Sequence, residues 1–88
     1  MKPSDVPAAR DGVLFRELED GCVLYDPEAE KVHSLNVTAG VIWCLVDGVR
    51  SIDEIADEIA SRSGAGAETV LADVLRAADE FARQGLLQ

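Results

Sequence analysis

Apolar positions show no periodicity before Val13, and the segment 1–12 instead carries Pro3, Ser4, Asp5 and Pro7. Such a stretch reads as a flexible lead-in to one domain spanning 13–88. From Val13 onward three short runs, VLFREL, CVLYD and KVHSL, are rich in β-branched and aromatic residues. Glu19 to Gly21 and Asp26 to Glu30 separate them at hairpin length, which predicts a three-stranded antiparallel meander.

At Leu35-Asn36 the period changes from two to about 3.6. Asn36 is placed to cap a first helix, whose apolar positions are Val37, Ile42, Trp43, Leu45 and Val46, and Asp47-Gly48 ends it. Ser51-Ile52-Asp53-Glu54 has the form of a capping box, followed by Ile52, Ile55, Ala56, Ile59 and Ala60 at helical spacing as far as about Arg62. After the break at Ser63 to Gly66, Val70, Leu71, Val74, Leu75, Ala78 and Phe81 mark a third helix to about Arg83. Gly85 closes it, with Leu86-Leu87 folding back on its end. The predicted class is α+β, a three-stranded antiparallel sheet followed by three helices packed on one face.

A three-stranded meander has two edges whose backbone amides and carbonyls are unpaired. KVHSL runs straight into the helices, so it is expected at an edge, beside a groove floored by sheet and walled by helix. An extended peptide could add there as a fourth strand. The third helix is the expected wall, because Ala72, Asp73, Arg76, Ala77 and Glu80 flank its apolar stripe with small and charged groups.

Composition narrows the ligand. The 88 residues suit a single small domain, and the hydrophobic fraction of 48% fits a folded chain. Seventeen acidic against eight basic residues give a net charge of −9, which repels phosphate backbones and anionic lipid. No apolar run approaches the ~20 residues of a membrane helix, and the first ten residues lack a secretory layout, so a cytoplasmic location is expected. Cys22 and Cys44 form neither a C-x-x-C motif nor a Cys/His cluster and read as reduced, buried apolar residues. His33, the one histidine, has no ligand or triad partner at usable spacing and reads as a solvent-facing strand residue or a peptide contact. Neither a metal, a cofactor nor a catalytic set is expected. Asp53, Glu54, Asp57 and Glu58 crowd the second helix and read as a solvated face or a docking face for a basic patch.

Leu35-Asn36, Thr38-Ala39 and Trp43, then Asp47 to Ile52 with Glu54-Ile55, then Asp73-Val74 and Gly85-Leu86-Leu87, together resemble the PqqD family over roughly Val13 to Leu87. Each motif is short, and it is their order and spacing that are specific. The resemblance implies a winged-helix-like fold that binds the leader of a ribosomally made precursor peptide between the third strand and the third helix. In this chain those elements supply Lys31, Val32, His33, Ser34, Leu35, Val70, Asp73, Val74, Arg76 and Ala77. It also implies a chaperone in pyrroloquinoline quinone or lasso-peptide biosynthesis, serving a radical SAM enzyme or a leader peptidase. At Ala77-Ala78 this chain is smaller than the family often is. Two other readings stand beside it: a winged-helix DNA-binding regulator, and a structural subunit that stabilises an enzyme without binding peptide. The open edge also allows a homodimer.

Overall fold

A computed structural model describes residues 1–88. Strands β1 (Leu14–Leu18), β2 (Gly21–Asp26) and β3 (Lys31–Leu35) are followed by helices α1 (Val37–Leu45), α2 (Ile52–Ser63) and α3 (Ala67–Arg83). The sheet is an antiparallel meander in the order β1-β2-β3. Its register sets Phe15, Leu24 and His33 across from one another, and likewise Leu14, Tyr25 and Val32. Because side chains alternate across a strand, Cys22, Leu24 and Asp26 point to the helix side and are buried, while Tyr25 points outward and is exposed.

The helix ends follow from local chemistry. The Asn36 side chain accepts the Ala39 amide at 2.8 Å. At α2 the Ser51 hydroxyl accepts the Glu54 amide at 3.2 Å, and the Glu54 carboxylate accepts the Ser51 amide at 2.9 Å. Gly64 ends α2 at φ 72, a left-handed conformation that favours glycine. The core joins Leu24 of β2 to Ile42 and Trp43 of α1, Ile52 and Ile55 of α2, Val74, Ala78 and Phe81 of α3, and Leu86 behind it. Trp43 meets Phe81 edge to face, with ring centroids 5.3 Å apart.

Gly40 is buried where α1 crosses β2, and a Cβ there would collide with the Cys22 sulfur. Its absence lets the helix lie close on the sheet.

Where the sequence reads as a flexible lead-in, the chain forms an arm bonded to both ends of the helical layer. The carbonyls of Pro3 and Asp5 accept the Asp53 and Ile52 amides, each at 2.9 Å. They thereby satisfy N–H groups that the first turn of α2 leaves unpaired. Ala8 and Ala9 bridge to Asp47 and Leu87, and the Arg10 amide donates to the Leu86 carbonyl at 2.9 Å. The Arg10 guanidinium reaches the buried Asp26 carboxylate at 2.5 Å and the Gly85 carbonyl at 2.7 Å, tying arm, sheet and the end of α3 together. None of the arm's backbone hydrogen bonds or bridges reaches β3.

Candidate functional site

β3 pairs on one side only, with β2, and no other backbone hydrogen bond involves Lys31 to Leu35. In an antiparallel ladder successive residues alternate between bonding the neighbour and pointing their N–H and C=O away from it. The outer edge of β3 therefore offers a regular set of free donors and acceptors. Lys31, His33 and Leu35 share the face of Leu24, while Val32 and Ser34 are exposed on the opposite face.

Where β3 ends, a cleft of about 460 Å³ opens between α1 and α3. Asn36, Thr38, Ala39 and Ile42 form one wall, and Asp73, Arg76, Ala77 and Glu80 the other. Helical spacing explains the second set, since 73, 76, 77 and 80 recur on one stripe of α3. Small Thr38, Ala39 and Ala77 leave the space. Arg76 pairs with Asp73 in the same helix, and Arg83 with Glu80. These are exposed pairs of the kind worth ~0.3–0.5 kcal/mol, so a charged guest side chain could take either partner at small cost.

Of the ten residues expected at the site, Asp73, Arg76 and Ala77 line the cleft and Lys31 to Leu35 form the open edge. Val70 and Val74 do not: they are 6% and 0% exposed and belong to the core. They lie on the stripe packed against α1 and α2, and the intervening residues face the cleft. The α1 wall was missed as a site, although Asn36, Thr38 and Ala39 sit within the motifs that carry the family resemblance. Of the two readings of His33, solvent-facing strand residue or peptide contact, the first does not hold. The residue is half-buried on the helix side, and its Nε2 is enclosed without a hydrogen-bond partner.

Cys44 departs from expectation too. Cys22 is buried, but Cys44 is exposed, because α1 turns Ile42 and Trp43 inward and leaves Cys44 on its outer side. Partial burial, aided by electrostatic interaction with Cys22 and Glu17, pushes its thiol above the ordinary range, opposite to what a reactive thiolate needs. No group of three or more His, Cys, Asp or Glu side chains comes together in a metal-binding arrangement. What the geometry offers is a place to seat an extended chain.

The family model for coenzyme PQQ synthesis protein D (PqqD) matches residues 21–87. The chain belongs to the PqqD family. A PqqA binding protein of Xanthomonas axonopodis pv. citri (strain 306) is 36% identical over 84 residues, covering 93% of this chain and 89% of the relative. The PqqD truncation of Methylobacterium extorquens PqqCD, a functional and stand-alone recognition element for ribosomally synthesised, post-translationally modified peptides, superposes with a TM-score of 0.85. It is 29% identical, and the match covers 99% of this chain and 93% of that one. TbiB1 in complex with the TbiA(beta) leader peptide shares the fold at a TM-score of 0.80 and 23% identity, over 92% and 94% of the two chains.

Proposed function

We propose that this PqqD-family protein is a non-catalytic peptide chaperone in the cytoplasm, which binds the leader of a ribosomally made precursor and presents it to a modifying enzyme. The observation that carries the reading is the unpaired edge of β3 ending at the cleft between α1 and α3. An incoming leader adds as a fourth strand. Its backbone bonds to β3 give direction and much of the affinity, and alternate side chains enter the cleft. The named role of the Xanthomonas relative, which binds PqqA, and of the Methylobacterium recognition element supports the same use of this fold.

Lys31, Val32, His33, Ser34 and Leu35 supply the edge, and Asp73, Arg76 and Ala77 the α3 wall. Thr38, Ala39 and Ile42 complete the pocket. Calorimetric titration with two synthetic peptides, PqqA and a lasso-precursor leader, tests the proposal and separates the pathway types. One of the two should bind with micromolar or better affinity. Filling the pocket with Ala77→Trp should weaken that binding about tenfold or more. Absence of binding by both peptides, or an unchanged affinity in Ala77→Trp, would contradict it.

The DNA-binding reading finds no support in the charges. Arg76 and Arg83, the two cations on α3, are both bound to carboxylates of their own helix, whereas duplex binding needs several cations free for phosphates.

A further inference from the structure

α1 has the sequence VTAGVIWCL, apolar almost all the way round. A helix of that kind is normally covered on every side. Here Ile42 and Trp43 enter the core, and Thr38 and Ala39 face the leader cleft. The remaining side is bare: Val37 and Val41 are 61% and 45% exposed, and Cys44 lies beside them in the open. Across from them β1 presents Phe15 and Leu18, also exposed, and between the two elements runs a second groove of about 430 Å³.

The rim of this groove is acidic. Glu17 and Glu19 line it, and neither has a salt-bridge partner in the chain. Arg62, the one cation at the groove, is already bound to Glu58 at 2.6 Å. β1 is also the second free edge of the sheet. An apolar floor, unpaired carboxylates on the rim and an open strand edge describe a surface complementary to an apolar segment flanked by lysine or arginine.

We propose that the groove between β1 and α1 docks the modifying enzyme, through an apolar segment of that enzyme with basic flanks. The proposal rests on the presentation role argued above and names where the recipient sits. A leader seated on β3 cannot also fill this groove, because β1 and β3 lie on opposite edges of the sheet with α1 between the clefts. A second copy of the chain is a poor occupant. A two-fold contact there would bring Glu17 and Glu19 towards their own counterparts, in a chain of net charge −9. With the enzyme in place α1 is the shared wall of two sites, which puts the leader beside the catalyst without blocking either.

The test uses the full chain and a purified radical SAM enzyme of pyrroloquinoline quinone biosynthesis, with binding followed by interferometry and the leader followed separately by calorimetry. Leu18→Glu and Val41→Glu replace exposed residues, and thermal melts check that both variants fold. Each should weaken enzyme binding about tenfold or more while leaving leader affinity unchanged. Glu17→Lys with Glu19→Lys should also weaken it, and added salt should weaken the wild-type complex but the charge-reversed one less. Ala77→Trp should give the opposite pattern, losing leader and keeping enzyme.

Enzyme binding that survives Leu18→Glu and Val41→Glu would overturn the proposal, as would failure of the wild-type chain to bind the enzyme at all. A homodimer broken by Val41→Glu would overturn it in favour of a second copy. Failure of every leader titration alongside groove-dependent enzyme binding would instead remove the presentation role and leave the docking surface standing.

Discussion

Trp43 and Asp26 show how much rests on single side chains in so small a domain. Trp43 is 7% exposed and packs edge to face on Phe81, joining α1 to α3. Trp43→Ala should cost about 3–5 kcal/mol in a denaturant titration, most of the stability a domain of this size commands. A midpoint close to wild type would show that the contact is peripheral. Asp26 is buried, and its hydrogen bond to the Arg10 guanidinium, aided by the Ala29 amide, holds its carboxyl below the ordinary range despite burial. Its folded value is thus depressed relative to the unfolded one. The stability it contributes is present above the ordinary carboxylate value and is lost as pH falls through about 4 towards the lower folded value. Asp26→Asn should melt earlier at neutral pH and lose less on acidification, with a residual slope from Asp47, whose carboxyl the Arg50 and Val49 amides also lower. An acid slope identical to wild type would refute the clamp. His33 and Cys44 were assigned the wrong exposure, just as Val70 and Val74 were assigned to the cleft rather than the core. Alternation in KVHSL shows two faces but not which one is inward, and α1 is apolar on all sides, so its pattern does not say which side is bare.

Elements with chemical punctuation were legible: Asn36, Ser51 with Glu54, and the break at Ser63 to Gly66 mark helix ends that the structure confirms within a residue or so. The capping box should be measurable by itself. Ser51→Ala removes the acceptor for the Glu54 amide and should cost ~1 kcal/mol in the same denaturant titration. No loss would mean that the N-terminal arm, which accepts the Ile52 and Asp53 amides, already holds this helix end. The arm itself could not be read from the sequence, because its bonds are made by backbone carbonyls and amides that any residue carries. Its two prolines look like punctuation of a loop, yet Pro7 is buried against the fold. α3 was legible as a helix but only partly as a wall. Its buried stripe at Val70 and Val74 and its cleft stripe at Asp73 and Ala77 interleave, and the boundary between them depends on where α1 lies. That depends in turn on Gly40, whose missing side chain lets α1 close on Cys22.

At the scale of the whole molecule, three short strands leave two open edges, and α1 separates the cleft it forms with α3 from the groove it forms with β1. The net charge of −9 sets the class of partner: it argues against nucleic acid and anionic membrane and favours basic protein surfaces. The sheet-then-helices order was visible in the sequence, as was the β3 edge, because the runs, spacers and change of period are all local signals. The α1 wall and the second groove were not, since both arise from the crossing of α1 over the sheet. Backbone amide shifts recorded while the cognate leader peptide is titrated into the protein test the central claim most directly. The amides of Lys31 to Leu35 should move together with those of Asp73, Arg76 and Ala77, with new protection from exchange along the outer edge of β3, while those of β1 stay still. Shifts confined to β1 and the outer side of α1, or none at either edge, would contradict strand addition at β3.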